Sequence, residues 1–201
     1  MNELRYGRGD LGDPAIAGRR EWRVSNGIGG GAAGTASGEL SRYGHGLLSA
    51  ALAGADAPTL LLAKLSATLE IRDQHWALDT NCWSSGVRDP AGYLHIESFG
   101  LEDGIPVWVW AVAGMRMEQR IWMEQGENTT YIQYRLRSAP EPARLRLQVL
   151  VNHRPADRGL GRGQWTARVE PATGGLRIEA FEGATPLWLL APGAERSRYW
   201  M

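Results

Sequence analysis

Apolar and polar side chains alternate with a period of two along much of this chain, a pattern typical of strands that bury one face. The clearest run is residues 65–71, in which every odd position is apolar and every even position is polar. The runs 129–137 and 144–151 alternate in the same way. Pro140 and Pro142 lie between these two runs and interrupt any pairing, because proline has no N–H to donate. Three half-buried strands are therefore predicted.

Residues 106–112 are β-branched or aromatic on both faces, which predicts a strand covered on each side. Residues 46–55 fit either a helix or a strand. Glycine, proline and aspartate separate further short apolar runs, which predict strands over residues 115–123, 163–169, 176–181 and 186–190. The spacing favours an all-β fold, an antiparallel two-layer sandwich of roughly ten to twelve strands.

The two ends of the predicted fold differ in character. Residues 1–20 are polar, rich in glycine and arginine and without periodicity, so we expect a loose polar leader there. The ordered fold is predicted to begin near Glu21. No change in composition marks a boundary after that point, so one β-sandwich domain is expected over residues 21–201.

Charge and aromatic content narrow the choice of partner. Lys and Arg total 22 and Asp and Glu total 22, so no surplus of positive charge is available for phosphates. Nucleic acid is therefore not an expected partner. The nine tryptophans against two phenylalanines are an unusual aromatic set, and a flat indole with an N–H donor suits either a core or a sugar-binding surface.

Several features point to one compartment. Cys82 is the single cysteine, so no intramolecular disulfide is possible and a reducing environment is favoured. The first residues lack the apolar segment of a secretory signal. The longest apolar stretch, residues 46–63, is interrupted by Asp56 and Pro58 and is too broken to span a bilayer. A cytoplasmic protein without a membrane partner is predicted.

Motifs for cofactors and metals are weak. Gly29-x-Gly31-x-x-Gly34 formally matches a dinucleotide fingerprint, but the β-type pattern that follows favours a glycine-rich turn, and no cofactor is predicted. No pair of histidines has the spacing of a metal site, so no metal is predicted at any of the four, His45, His75, His95 and His153.

The carboxylates of the chain are compatible with a second function, that of a glycoside hydrolase. Glycoside hydrolysis needs two of them about 5 to 10 Å apart. Each candidate also fits an ordinary solvated position, and the sequence does not pair them: Asp79, Glu97, Glu102, Asp103, Glu118 and Glu127.

A series of short phrases resembles the opening of bacterial and archaeal type glycogen debranching enzymes, in the family's order and approximate spacing. The phrases run from about Glu21 to Arg154. They are residues 21–30, 34–38, 42, 45–48, 62–65, 89–93, 97–99, 105–108, 126–130 and 150–154.

The resemblance implies the N-terminal domain of such an enzyme, an antiparallel β supersandwich like the glucoamylase N-domain or galactose mutarotase, shortened at its C-terminal end. In that family, hydrolysis of α-1,6 branch points belongs to a following (α/α) barrel, for which this chain has no room. No catalytic residue is therefore assigned here. The implied partners are glycogen or another α-glucan, and the barrel itself.

The resemblance also suggests binding residues. The family's usual Arg-Arg-Tyr-His-Gly run stands here as Arg-Tyr-Gly-His-Gly, in which Arg42 and His45 are candidates for the glucan groove or for fixing a turn. Asn26, Asn128 and Arg154 match family phrases as well, and asparagines at strand ends also cap backbone groups.

Three hypotheses about function remain open at this point. The first is a noncatalytic domain that binds glucan and docks to a debranching barrel. The second is an autonomous carbohydrate-active hydrolase that uses two of the carboxylates. The third is a structural half-domain completed by a partner chain, since a shortened sandwich leaves strand edges exposed.

Overall fold

The structure is a computed structural model that describes residues 4–159 and 165–195. It divides into two compact units, residues 1–159 and 160–201, where a single sandwich over 21–201 was predicted. The elements of the first unit are β1 (Leu4–Gly7), α1 (Arg8–Leu11), α2 (Pro14–Ala17), β2 (Glu21–Ser25), β3 (Gly31–Thr35), β4 (Gly46–Ala50), β5 (Thr59–Ile71), β6 (Gln74–Ala77), β7 (Thr80–Cys82), β8 (Arg88–Ala91), a 3-10 helix (Gly92–His95), β9 (Ile96–Glu102), β10 (Ile105–Val112), β11 (Met115–Met123), β12 (Thr130–Ser138) and β13 (Arg144–Pro155). Those of the second unit are β14 (Arg168–Ala172), β15 (Gly175–Glu179) and β16 (Leu187–Leu190).

The first unit is built from two main antiparallel sheets. The first sheet has the order β1-β9-β10-β11-β12, and the second has the order β13-β5-β4-β3-β2 with β6 added beside β5. Strands β7 and β8 form a separate pair. The prediction of an all-β antiparallel sandwich is confirmed.

Tryptophans join the two sheets of the first unit. Trp22 on β2 meets Trp108 on β10 edge to face, with ring centroids 5.4 Å apart. The Trp108 indole Nε1–H donates to the carbonyl oxygen of Ala36 at 2.9 Å, across from one sheet to the other. Both rings are buried, so they form part of the core between the sheets.

The predicted strands of the first unit are confirmed. Residues 65–71 lie within β5, and the runs 129–137 and 144–151 match β12 and β13. The strand expected to be covered on both faces is β10, which buries Val107 as well as Trp108 and Trp110. The ambiguous 46–55 region is a strand over its first five residues, β4.

The N-terminal segment departs from the expected leader. Residues 4–7 form β1, which pairs antiparallel with β9, Leu4 opposite Leu101 and Gly7 opposite Ser98. The helix α1 that follows buries Leu11 completely. Four residues are too few to show a period, and the pairing comes from the free edge of β9, which no local pattern reveals. Residues 1–3 lie outside the described part.

The second unit is a three-stranded antiparallel sheet in the order β14-β15-β16. The strands predicted at 176–181 and 186–190 correspond to β15 and β16. The strand predicted at 163–169 begins instead at Arg168, and positions 163 and 164 lie outside the described residues. Among the residues described in the two units, no helix has the length and apolar character needed to cross a membrane.

Candidate functional site

A cleft lies between the two main sheets, in the first unit. The inter-sheet cleft is lined from the second sheet by residues that include Trp22 and Leu65, and from the first sheet by Trp110, Gln119 and Tyr134. Its empty volume is about 580 Å³, which includes the solvent at its mouth. Most of the lining is apolar, with a few polar groups among it.

Three tryptophans line the cleft, and their indole N–H groups differ. The N–H of Trp22 donates to the carbonyl oxygen of Thr35 at 3.3 Å, and that of Trp108 donates to Ala36. Trp110 stacks on Trp108 with ring centroids 6.2 Å apart and is only 5% exposed. Its Nε1 is buried and has no hydrogen-bond partner among the residues that the structure describes. Trp110 is thus a buried donor that lines the cleft without an acceptor.

Tyr134 supplies a second donor. Its hydroxyl oxygen accepts a hydrogen bond from Gln119 Nε2 at 3.0 Å. Burial, reinforced by the negative charge of Asp79, raises the pKa of the Tyr134 phenol above its ordinary value. The phenol therefore keeps its proton at neutral pH. The hydroxyl hydrogen has no acceptor among the described residues.

A buried ion pair borders the cleft. The Lys64 ammonium lies 2.6 Å from the Thr80 carbonyl oxygen, 2.6 Å from Asn81 Oδ1 and 3.2 Å from Asp79 Oδ2. Burial lowers the pKa of Lys64, and the Asp79 carboxylate opposes that shift. The three donors of the ammonium are all used, so Lys64 anchors the 79–81 segment to β5.

A second ion pair is formed by Glu39, which lines the cleft, and Arg88. Arg88 Nε lies 2.5 Å from Glu39 Oε1, and this hydrogen bond raises the pKa of the Arg88 guanidinium. Like Lys64 with Asp79, this pair is internally neutral. The charged groups that line the cleft therefore cancel in pairs.

A family model described as "Glycogen debranching enzyme N terminal" matches residues 20–201. The chain belongs to this family. No curated protein and no solved structure matches the chain.

Within this debranching-enzyme N-terminal domain, the two asparagines chosen from the sequence meet each other. Asn26 Nδ2 donates to Asn128 Oδ1 at 3.0 Å and to the Glu127 carbonyl oxygen at 2.9 Å, while its Oδ1 accepts from the backbone N–H groups of residues 28 and 30. Asn128 pairs with both the N–H and the carbonyl of Ala51 at 2.9 Å. These amides tie three loops together with hydrogen bonds inside the protein.

Arg42 and His45 both lie next to Glu21. Arg42 Nε is 2.6 Å from Glu21 Oε1, and His45 Nε2 is 3.9 Å from the same oxygen. His45 Nδ1 accepts from the Ser41 N–H at 3.1 Å. Burial lowers the pKa of the His45 imidazole, an effect that the Glu21 carboxylate opposes and Arg42 reinforces. The two candidates thus share one carboxylate at the start of β2.

Arg154 reaches the same loop from β13. Its guanidinium donates to the carbonyl oxygens of Tyr43 at 2.7 Å, Pro155 at 2.9 Å and Arg158 at 2.7 Å. The structure thus gathers Arg42, His45 and Arg154 around residues 41–45, apart from the hydrogen-bonded asparagine pair. The 41–45 loop lies in the chain between residues 38–40 and 46–47, which line the cleft. Glucan contact by these residues stays a prediction.

Sequence reasoning missed Trp110, Gln119 and Tyr134 as site residues. The alternation over 129–137 placed Tyr134 on the apolar side of its strand, and the tryptophan excess drew attention to indoles as a class. Which indole lacks an acceptor depends on contacts between sheets, and no local signal carries that information.

Proposed function

We propose that this chain is the noncatalytic N-terminal domain of a glycogen debranching enzyme, and that it binds α-glucan in the inter-sheet cleft and docks to an (α/α) barrel that hydrolyses α-1,6 branch points. The observation that carries the proposal is the tryptophan-lined cleft with two hydrogen-bond donors, on Trp110 and Tyr134, that have no acceptor among the described residues. A mostly apolar lining with a few fixed polar groups is typical of small-ligand sites.

The carboxylates support a noncatalytic role. Glu118 is bonded to Arg120 at 3.1 Å and also contacts Arg137, while Glu102 contacts Arg120. Glu118 pairs in register with Val109, so it lies on the face of the first sheet opposite Trp108 and Trp110.

Glu97 is bonded to Arg116 at 2.8 Å, and this hydrogen bond lowers the pKa of its carboxyl. A glycosidase acid needs the opposite shift. Asp79, the one cleft residue of the six candidates, is held by Lys64 and by the Ser66 hydroxyl at 2.9 Å.

Exposed edges support the docking half of the proposal. Among the described residues, β12 pairs only with β11 and β13 only with β5, so each strand leaves one edge open. Leu136, Leu147 and Leu150 on these strands are 38–43% exposed. Open edges with apolar side chains are typical of surfaces that another structure covers.

The exposed and unpaired Cys82 fits the reducing cytoplasm proposed as the location.

Intrinsic tryptophan fluorescence tests glucan binding. The purified chain is titrated with glycogen and with maltoheptaose, after circular dichroism has shown that it is folded. We expect a saturable change with both, and no release of sugar from a branched glucan. A folded chain with no fluorescence change would overturn the binding proposal, and sugar release abolished by Asp79→Asn would establish the hydrolase instead.

Docking needs a separate measurement. A separately produced debranching barrel should co-elute with this chain on size exclusion, and replacing Leu147 with Glu should abolish the complex. The same open edges favour a second candidate, a half-domain completed by another copy. Light scattering distinguishes the two, because self-completion requires dimers or larger species of the chain alone, whereas docking to a barrel requires only the mixed complex.

A further inference from the structure

We infer that the inter-sheet cleft recognises an uncharged glucose unit of an α-glucan through the Trp110 Nε1–H and the Tyr134 hydroxyl, and that it discriminates against phosphorylated sugars. This inference rests on the proposed function and names the groups and the ligand chemistry of the same site.

The Trp110 indole N–H is a buried donor without a partner among the described residues. Nearly all buried polar groups in folded proteins have a hydrogen-bond partner, so one without a partner calls for a reason. Trp108 shows that the same kind of side chain on the same strand does find an acceptor, Ala36, inside the protein. Trp110 lines the cleft, and its N–H is buried without one. An acceptor atom of a ligand in the cleft would complete it.

The register of the first sheet places Trp110 and Tyr134 on the same face. Trp108 pairs with Gln119, and Gln119 pairs with Tyr134, so these three side chains form one row across β10, β11 and β12. Trp110 lies on the same face, two residues along β10, opposite Met117. The two donors therefore lie on the same face of the first sheet, two strands and one row apart, and we infer that one glucan chain contacts both.

The polar groups of the cleft require a ligand that both accepts and donates hydrogen bonds. Trp110 and Tyr134 each offer a hydrogen and need an oxygen that accepts it. Gln119 uses its Nε2 on Tyr134, and its Oε1 has no donor among the described residues, so it is free to accept from a ligand hydroxyl. Two donors and one acceptor beside apolar walls match the hydroxyls and the flat ring face of a pyranose.

The charged side chains that line the cleft already have ion partners. Lys64 is paired with Asp79, and Glu39 is paired with Arg88. Every N–H of the Lys64 ammonium already has a protein acceptor. A phosphate in the cleft would meet two carboxylates and no unused ammonium hydrogen, so only the two neutral donors would offset its desolvation. The cleft therefore favours a neutral sugar.

Calorimetric titration of the full chain tests the inference. The ligands are maltose and glucose 1-phosphate, and the variants are Trp110→Phe and Tyr134→Phe, each of which keeps a ring and removes one donor. Trp83→Phe is the matched control, because Trp83 is exposed, donates to the Asp89 carbonyl oxygen and does not line the cleft. We expect each cleft variant to weaken maltose binding about three- to tenfold, as for one neutral hydrogen bond, the control to bind like the parent chain, and glucose 1-phosphate to bind at least about tenfold more weakly than maltose.

The outcomes separate the two proposals. If the parent chain binds neither maltose nor longer glucans, the proposed function fails and this inference fails with it. If the parent binds maltose and both cleft variants bind it equally well, glucan lies elsewhere and only this inference is overturned. Tighter binding of glucose 1-phosphate than of maltose would overturn it without any variant, so the test does not depend on the variants folding.

Discussion

Trp108 and Trp110 provide a matched pair for testing the energetics of the cleft. They lie on the same face of one strand, and they are 3% and 5% exposed. Their difference is one hydrogen bond, which Trp108 makes to Ala36 at 2.9 Å and Trp110 does not make within the described residues. Replacement by Phe deletes the same atoms at both positions and keeps an aromatic ring.

The magnitude follows from what each substitution leaves behind. Trp108→Phe leaves the Ala36 carbonyl without its partner, and an unsatisfied buried group costs about 1–3 kcal/mol. Trp110→Phe removes a donor that was already unpaired, so it leaves no new unsatisfied group. With equal packing losses, Trp108→Phe should lower the free energy of unfolding by about 2 kcal/mol more than Trp110→Phe. The contacts of Trp108 with Trp22 and Phe99 increase that difference.

Urea unfolding followed by near-ultraviolet circular dichroism measures this difference in the free energy of unfolding. At an m-value of about 2 kcal/mol per M, the midpoint of Trp108→Phe should lie about 1 M below that of Trp110→Phe. Equal m-values confirm that the comparison is one of stability alone. If Trp110→Phe is as destabilising as Trp108→Phe, the Trp110 N–H is not an unpaired donor and the reasoning is refuted.

Three further predictions concern Lys64, Asn128 and His45. Lys64→Met should lower the free energy of unfolding in urea by about 3–5 kcal/mol, because it leaves Asp79 buried without its ion partner. Adding Asp79→Leu should restore most of that stability. A double variant that is no more stable than the single one would contradict this prediction. Asn128→Ala should lower the free energy of unfolding by about 2–3 kcal/mol, measured by thermal or urea unfolding, because it leaves the N–H and the carbonyl of Ala51 without their partners. The maltose affinity of the folded fraction should be unchanged. Burial holds the folded-state pKa of His45 below 6.5, so the unfolded chain binds more protons and stability should be lost as pH falls below about 6.5. His45→Asn should reduce this loss of stability at low pH. A smaller loss should remain, because burial also lowers the pKa of His95. A variant with the same dependence of stability on pH as the parent chain would contradict the prediction.

The sequence predicts the strands whose own pattern is long enough to read. The alternation over 65–71 and the two-faced run at 106–112 need no knowledge of partners, because side-chain direction in a strand depends only on the period. The strand at residues 4–7 escapes prediction for the converse reason. It is stabilised by backbone pairing with β9, and backbone groups carry no sequence signature.

The candidate site is predictable only in part. Asn26 and Asn128 were found as a family phrase, but their mutual hydrogen bond joins positions more than a hundred residues apart. The nine tryptophans indicate an aromatic core or surface. The sequence does not show that the indole N–H groups of Trp22 and Trp108 donate to carbonyl oxygens while that of Trp110 has no acceptor among the described residues. That difference is made by how the two sheets pack.

The most direct test of glucan binding in the cleft is a two-dimensional ¹H–¹⁵N spectrum of the nine indole N–H groups, recorded while maltoheptaose is added. The Trp110 signal is identified by its absence in Trp110→Phe, and the Trp108 signal in the same way. We predict that the Trp110 signal moves downfield and saturates as its N–H gains an acceptor, while the Trp108 signal keeps its bonded position. A Trp110 signal that stays in place at saturating maltoheptaose would contradict the account.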